Sequence, residues 1–228
     1  ELSDFIDSSS NNLTPNWIKS IQKIENEYVS NINSIMNETN QLNEYSAAFQ
    51  VLNQIDSNSN LFIGNSIIIR AFNLLLSNSL KKDINIFSNR GASGIDGNIA
   101  TSIGISLSSK SDYNYLILGD QAFMHDIGSL KILRDLDVNL NIIIVNNSGG
   151  GIFDYLPIFN NDNKMNYKKL IRNDHNETFQ KITESYGINY TRIEKLSDFN
   201  LPKTKESEVI ELIINKESAL NFYKNLIS

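Results

Sequence analysis

A carboxylate and an amide follow two apolar segments at a spacing that would bring them to one ligand. Asp120 comes after the apolar run 113–118, and Asn147 comes after the apolar run 141–145, 27 residues beyond Asp120. The amphipathic stretch 123–136 between them is long enough for a crossover helix, so both side chains should lie at one edge of a parallel sheet. Hard divalent cations take oxygen ligands, often with phosphate oxygens completing the shell. The pattern predicts a Mg2+-diphosphate site.

Glycines next to the two polar residues support this interpretation. Gly119 allows a sharp turn and a close approach to phosphate, and a helix beginning near Ala122 would offer free N–H groups to the diphosphate. Gly149 can present its carbonyl to the metal. The alternative is an ordinary strand–turn–helix in which Asp120 caps the helix. The matching Asn147 and the glycine run after it favour the ligand site.

Two arginines indicate an acidic substrate. Arg90 lies between the predicted strand 84–88 and the glycine-rich segment 91–97. A guanidinium recognises a carboxylate or phosphate through two parallel hydrogen bonds. Ser66 and Arg70 are four residues apart and share a helical face. The apolar neighbours of Arg70 favour an anchor for an acidic substrate, and an ion pair with a nearby acid is the alternative.

Apolar residues and two histidines complete the candidate list. Ile152, Phe153 and Leu156 follow the glycine run and are expected to form a pocket wall. His125 is expected to be a packing or capping residue on the helix after Asp120. His175 lies in a polar stretch and is expected to be exposed to solvent.

The elements that must position these residues alternate between strands and helices. Apolar runs predict strands over 61–64, 84–88, 113–118, 141–145, 189–193 and 209–214. Helical spacing predicts helices over 17–35, 42–55, 67–76, 99–107, 123–136, 178–186 and 219–227. Residues 158–176 look irregular. Alternation of this kind predicts an α/β fold, a doubly wound parallel sheet with helices on both faces and its ligand beyond the carboxyl ends of the strands.

Composition limits the other possibilities. The 228 residues carry a net charge of -6 and no cysteine, which gives no electrostatic basis for nucleic-acid binding and excludes disulfides. No apolar run reaches the length of a membrane span. We expect residues 1–40 to be a linker and lead-in helix from a preceding domain, and residues 41–228 to be the diphosphate- and Mg2+-binding domain.

Four segments resemble the C-terminal, diphosphate-binding domain of the 2-succinyl-5-enolpyruvyl-6-hydroxy-3-cyclohexene-1-carboxylate synthase family of thiamine-diphosphate enzymes. The similarity runs from about residue 40 to the C-terminus. Gln121 stands where the thiamine-diphosphate signature usually has a glycine. The segments are 62–70 (Phe-Ile-Gly-Asn-Ser-Ile-Ile-Ile-Arg), 88–97 (Ser-Asn-Arg-Gly-Ala-Ser-Gly-Ile-Asp-Gly), Gly119-Asp120 with its downstream helix, and 145–153 (Val-Asn-Asn-Ser-Gly-Gly-Gly-Ile-Phe) with Leu156-Pro157.

The resemblance implies a reaction of menaquinone or phylloquinone biosynthesis. Thiamine diphosphate, with Mg2+ or Mn2+, would decarboxylate 2-oxoglutarate and add the product to isochorismate with loss of CO2. The enzyme would be a homodimer or homotetramer, cytoplasmic in a bacterium or located in a plastid, with each active site between two chains.

The resemblance also assigns roles to individual residues. Asp120, Asn147 and the Gly149 carbonyl would hold the metal. Ile95 would be the apolar wedge that bends the cofactor. The diphosphate contacts would come from Ser93, Gly119, Gln121 and Ala122, the carboxylate contacts from Ser66, Arg70 and Arg90, and the pocket wall from Ile152, Phe153 and Leu156.

No catalytic residue is expected within these 228 residues, because the family's activating glutamate belongs to an N-terminal pyrimidine-binding domain. We therefore expect the chain alone to be inactive. Two alternatives stay open. The first is another thiamine-diphosphate carboligase or decarboxylase, similar to acetolactate synthase, although a small monocarboxylate substrate would not require both arginines. The second is a non-catalytic oligomerisation module, against which intact Asp120 and Asn147 argue.

Overall fold

The computed structural model describes residues 16–76, 82–91, 94–136, 138–156, 166–215 and 218–227. The chain forms two compact units, Glu1–Thr39 and Asn40–Ser228. The first contains helix α1 (Asn16–Glu38), and the second contains all the strands described. No helix in these ranges is both long and apolar enough to cross a membrane.

A six-stranded, entirely parallel sheet organises the second unit. Its strands are β1 (Ser59–Ile63), β2 (Ile84–Phe87), β3 (Tyr113–Gly119), β4 (Asn141–Asn146), β5 (Asn189–Ile193) and β6 (Glu208–Ile213), in the spatial order β2-β1-β3-β4-β6-β5. The chain moves to one side of β1 to form β2 and then to the other side to form β3. Such a switch point is where open α/β sheets bind their ligands. The predicted doubly wound parallel sheet is confirmed.

The central strands are buried on both faces, which explains their continuous apolar sequences. All six residues of β4 are buried, and so are Asn114–Leu118 of β3. Side chains of successive residues point to opposite faces, so an uninterrupted apolar run fits a strand covered by helices on both sides. On one face Phe123 packs against Phe179 with ring centroids 4.9 Å apart.

The helices of the second unit follow the predicted positions closely. They are α2 (Glu44–Gln54), α3 (Ile67–Leu75), α4 (Asn98–Ser108), α5 (Asp120–Asp126), α6 (Leu130–Asp135), α7 (Gln180–Ser185) and α8 (Ser218–Ile227). Short 3-10 turns span Ile127–Ser129, Gly151–Tyr155 and Leu196–Asp198, and a π turn spans Tyr167–Ile171.

Two predicted segments differ from the structure. The single helix expected over 123–136 is divided at Ile127–Ser129, where Asp126 turns its side chain towards other elements. Its carboxylate accepts hydrogen bonds from the Ile99 N–H at 2.6 Å and the Ala100 N–H at 3.0 Å, which caps α4. The stretch expected to be irregular over 158–176 has the π turn in its described part, and residues 157–165 lie outside the described ranges.

Candidate functional site

A cavity of about 1020 Å³ opens at the carboxyl ends of the strands. Four strand ends contribute to its wall: Ser66 follows β1, Arg90 follows β2, Asp120 follows β3 and Asn147 follows β4. These residues are spread over 82 positions of sequence, from 66 to 147 counted inclusively, and the parallel topology brings them together.

Asp120 ties the end of β3 to the loop after β4. Its carboxylate is buried at 2 % exposure. One oxygen, Oδ1, accepts a hydrogen bond from the Gln121 N–H at 2.6 Å, and the other, Oδ2, accepts one from the Gly149 N–H at 2.9 Å. Because a carboxylate oxygen has two lone-pair sites, both oxygens keep acceptor capacity for a further ligand.

The Asn147 amide has one satisfied end and one unsatisfied end. Its Nδ2 donates to Glu44 Oε1 at 2.8 Å, whereas Oδ1 is buried with no hydrogen-bond partner in the structure. Buried polar atoms are nearly always paired, and leaving one unpaired costs about 1–3 kcal/mol. A partnerless amide oxygen at the wall of this cavity is therefore a candidate ligand atom.

Glu44 is a site residue that the sequence did not reveal. It begins α2, is only 3 % exposed and lines the cavity. Burial is the main cause that raises the pKa of its carboxyl group to about 7. The hydrogen bond from Asn147 lowers this pKa, and the charge of Asp120 raises it further. Its Oε2 is also buried without a partner. The helix start could be predicted, but nothing in the sequence placed it beside the end of β4.

The loop after β4 approaches its neighbours too closely for larger residues. Ser148 has φ of 61° and Gly149 has φ of 145°. A Cβ on Gly149 would lie 2.8 Å from the Arg172 carbonyl oxygen, and a Cβ on Gly151 would lie 2.5 Å from Asn147 Nδ2. The Gly149 carbonyl accepts a hydrogen bond from the Gly151 N–H at 3.0 Å, and its second lone pair is open to another ligand.

A buried ion-pair network supports this loop from the segment that follows it. Arg172 Nε donates to Asp154 Oδ2 at 2.9 Å, and Arg172 Nη1 donates to Asp174. Tyr167 donates its hydroxyl to Asp154 at 2.7 Å. Burial alone would lower the pKa of Arg172, but the hydrogen bonds to the two aspartates raise it. The sequence did not reveal the role of Arg172. Asp154 is 18 residues away, and Asp174 lies in the stretch expected to be irregular.

His175 contacts the predicted metal ligand, and the expectation that it would be exposed is wrong. Its side chain is 11 % exposed, and its Nε2 lies 3.2 Å from Asp120 Oδ2, although the ring is not aligned for a hydrogen bond. Because Nδ1 accepts the Glu177 N–H at 3.1 Å, a neutral ring carries its proton on Nε2, facing Asp120. His125, expected to be a packing or capping residue, is instead exposed at the cavity wall.

The donor set fits a hard divalent cation. A carboxylate at Asp120, an orphaned amide oxygen at Asn147 and a carbonyl at Gly149 are the oxygen ligands such an ion takes. Among the described residues, no group of three or more His, Cys, Asp or Glu side chains is placed to hold a metal. These three donors leave positions in an octahedral shell for oxygens of a bound phosphate.

Both arginines on the predicted substrate side of the cavity, Arg70 and Arg90, are exposed. Arg70 is exposed rather than buried, because Ile67, Ile68, Ala71 and Phe72 occupy the buried face of α3. Arg70 Nη1 donates to the Ser66 carbonyl at 2.8 Å, and Ser66 has an unusual φ of 74°. Backbone outliers of this kind concentrate at binding and catalytic sites.

The remaining predicted residues are placed as follows. Arg90 and Ile95 are exposed, and they line the large cavity together with Gly119, Gln121, Ala122, Ile152 and Phe153. Leu156 lines a neighbouring cavity of about 480 Å³ that shares Arg70, Ile152 and Phe153 with the larger one. Ser93 lies outside the described residues. The location of these residues does not test their roles, which stay predictions.

Comparison with known proteins identifies the class that this fold and cavity represent. Residues 75–208, more than half of the chain, match the family model for the thiamine pyrophosphate enzyme, C-terminal TPP binding domain. The chain belongs to this family.

Curated relatives are more specific. The chain is 34% identical over 191 residues to 2-succinyl-5-enolpyruvyl-6-hydroxy-3-cyclohexene-1-carboxylate synthase of Haemophilus ducreyi, covering 82% of this chain and 32% of that protein. The synthases of the same name from Lysinibacillus sphaericus and Staphylococcus haemolyticus are 31% identical over 181 residues and 29% identical over 212 residues. They cover 78% and 92% of this chain and 31% and 36% of those proteins. The chain thus spans about a third of the length of the relatives it matches, and the predicted resemblance is confirmed.

Proposed function

We propose that this chain is the diphosphate-binding part of a thiamine-diphosphate-dependent 2-succinyl-5-enolpyruvyl-6-hydroxy-3-cyclohexene-1-carboxylate synthase. The whole enzyme would decarboxylate 2-oxoglutarate and join the remaining four-carbon unit to isochorismate, releasing CO2, in menaquinone or phylloquinone biosynthesis. The observation that carries the proposal is the partnerless Oδ1 of Asn147, in the same loop as the Gly149 N–H that Asp120 binds.

Each of the three proposed metal donors would contribute one oxygen to the ion. Asp120 would supply the negative charge, and Asn147 would supply a neutral oxygen, so that no second carboxylate ligand is buried next to a diphosphate. The Gly149 carbonyl would supply a third oxygen. Mg2+ or Mn2+ bound in this way would neutralise the diphosphate and fix its position.

The rest of the cavity would orient the cofactor and the substrates. Thiamine diphosphate itself supplies the means of stabilising the carbanion that decarboxylation leaves behind. The turn at Gly119, Gln121 and Ala122 would approach the diphosphate, with Ser93 as a further contact. Ile95 is an exposed apolar side chain at the cavity wall, which suits the proposed role of holding the cofactor in a bent shape.

The cationic and apolar side of the cavity would bind the acidic substrates. Arg70 and Arg90 are both exposed and both line the cavity, so each can pair with a carboxylate without first breaking a buried ion pair. Ser66 lies at the start of the same helix as Arg70. Apolar parts of the substrates would contact Ile152, Phe153 and Leu156, and these contacts would exclude water from the reacting carbon.

Two measurements on the full-length protein test the proposal. Thiamine diphosphate with Mg2+ should raise the unfolding temperature, and Asp120→Ala should abolish the rise. Asp135→Ala, an exposed aspartate on α6, is the matched control and should keep it. At a hundredfold excess over the dissociation constant the stabilisation should be about 2.7 kcal/mol. A cofactor that stabilises the wild type and Asp120→Ala equally would refute the metal site.

The substrate assignment needs a separate assay. CO2 release should depend on 2-oxoglutarate and isochorismate, and Arg70→Ala or Arg90→Ala should reduce it while cofactor-induced stabilisation is kept. Turnover of pyruvate in preference to 2-oxoglutarate would favour the carboligase similar to acetolactate synthase. The homo-oligomeric state, the bacterial cytoplasmic or plastid location and the inactivity of the chain alone are parts of the same proposal. Activity of the 228-residue chain alone would contradict the last of these.

A further inference from the structure

We propose that Glu44 is a positioning residue that sets the orientation of the Asn147 amide, so that Oδ1 and not Nδ2 faces the divalent cation. This inference rests on the proposed function, because it concerns the same metal site. It adds a residue from α2, which is 103 positions from Asn147 in sequence and is outside the predicted ligand set.

The two ends of an asparagine amide have similar shapes but opposite chemistry. Only the oxygen can coordinate a cation, so a freely rotating amide would present its NH2 group to the metal part of the time. Glu44 Oε1 lies 2.8 Å from Asn147 Nδ2 and accepts its N–H. In the reversed orientation two oxygens would face each other at that distance, with no proton between them when Glu44 is ionised. The Glu44 contact therefore selects the orientation that leaves Oδ1 without a protein partner.

Glu44 is held rigidly enough to impose this choice. It is the first residue of α2, whose start is fixed by Asn43: Asn43 Oδ1 accepts the Tyr45 and Ser46 N–H groups, each at 2.9 Å. The Ser46 hydroxyl accepts the Asn43 N–H at 2.9 Å in return. This reciprocal capping box locks the turn that carries Glu44.

The opposite side of the amide is blocked by backbone. A Cβ on Gly151 would lie only 2.5 Å from Asn147 Nδ2, so the NH2 group is packed between Glu44 and this glycine. Asn147 is 8 % exposed and Glu44 is 3 % exposed, so solvent does not compete for the contact. Outer-shell partners that orient a metal ligand in this way typically change metal affinity by 10–100-fold when they are removed.

A titration of Mn2+ in the presence of thiamine diphosphate tests the inference on the full-length protein, with free Mn2+ measured by electron paramagnetic resonance. Glu44→Met keeps the volume but removes the acceptor, and should weaken Mn2+ binding by about 10–100-fold. Glu44→Gln keeps a carbonyl that can accept the Asn147 N–H, and should lose less than about tenfold. Tyr45→Phe is the matched control from the same helical turn and should bind as the wild type does.

The outcomes separate the two levels of the proposal. Absence of cofactor-dependent Mn2+ binding in the wild type would refute the proposed function. Wild-type binding that is lost in Asp120→Ala but unchanged in Glu44→Met would refute the role of Glu44 alone. Equal losses in Glu44→Met and Glu44→Gln would also overturn it, because Glu44 would then act through its charge or as a direct ligand.

A second pair of variants decides the matter if Glu44→Met does not fold. In Asn147→Asp both ends of the side chain are oxygens, so orientation no longer matters and the Glu44 carboxylate only repels its neighbour. Glu44→Gln should then strengthen Mn2+ binding in the Asn147→Asp background although it weakens binding slightly in the wild type. A loss of the same size in both backgrounds would contradict a positioning role.

Discussion

Glu44 should make the metal-free protein less stable as the pH rises from about 4.5 to about 7. A buried carboxyl group with a pKa near 7 keeps its proton in the folded state at pH values where the unfolded chain, with a pKa of 4.5, has lost it. Between these two values the folded state binds more protons, so the free energy of unfolding falls as pH increases. Below pH 4.5 both states are protonated and this contribution is constant, and well above pH 7 the loss is complete.

The size of the effect follows from the difference between the two pKa values. A shift from 4.5 to about 7 corresponds to about 3 kcal/mol, at 1.36 kcal/mol for each pH unit. Desolvation of the carboxylate is the largest cause, and the hydrogen bond from Asn147 is too weak to offset it. Because stabilities of whole domains are about 5–15 kcal/mol, a change of this size is readily measured.

The assay is urea unfolding at a series of pH values in the presence of a chelator, comparing the wild type with Glu44→Gln. Glutamine resembles the protonated carboxyl group and does not titrate, so subtracting the two stabilities removes the contribution of groups that do not interact with Glu44. The wild type should lose about 3 kcal/mol relative to Glu44→Gln between pH 4.5 and a pH above 7. A difference that does not vary with pH, or a wild type that gains stability as pH rises, would refute the reasoning.

Three substitutions test the loop and the core. Gly151→Ala places a Cβ 2.5 Å from Asn147 Nδ2 and should weaken Mn2+ binding by about tenfold or more in a titration, whereas Gly104→Ala, where a Cβ meets nothing within 4 Å, should not. Arg172→Met leaves the buried Asp154 carboxylate without its cation and should cost about 3–5 kcal/mol in urea unfolding. Phe123→Ala empties a fully buried position and should cost about 3–5 kcal/mol by the same measurement. A loss of stability below 1 kcal/mol in Arg172→Met or in Phe123→Ala would contradict the expected role of that residue.

The parts of the fold that the sequence predicts are those set by local patterns. The apolar runs of β3 and β4 are buried on both faces, as expected for strands covered by helices on both sides. The polar residues Asp120 and Asn147 come directly after those strands, so their meeting at one cavity follows from parallel topology alone. The alternation of apolar strands and helices predicts the fold class, and the polar residues at the strand ends predict the site. No single motif was sufficient for either prediction.

The parts that could not be predicted depend on contacts between distant segments. Glu44 meets Asn147 across 103 residues, and no periodicity in either segment records that contact. The exposure of Arg70 could not be predicted, because a run of isoleucines shows that a helix is largely buried but does not fix which side faces outwards. The polar neighbours of His175 predict an exposed side chain, whereas contacts with Asp120, Glu177 and Ser148 hold it at the site.

Glycines alone do not explain the shape of the loop after β4. They make an unusual backbone path accessible, but they also enlarge the number of alternative paths in the unfolded chain. The segment containing Arg172 and His175 selects one path: the Gly150 N–H donates to the Arg172 carbonyl at 2.6 Å, and the His175 N–H donates to the Ser148 carbonyl at 3.2 Å.

The guanidinium group of Arg172, in the same segment, also contacts the backbone of the loop after β4. Arg172 Nη1 lies 3.4 Å from the Ser148 carbonyl oxygen, and Nη2 lies 3.4 Å from the Asn147 carbonyl oxygen, while Arg172 itself is held by the buried Asp154. Metal and diphosphate sites lose affinity when their ligands must be ordered at the moment of binding. Because Glu44 fixes the Asn147 amide from one element and Arg172 fixes the Asn147 backbone from another, the orientation of the proposed metal ligand is determined by the fold before any ion binds.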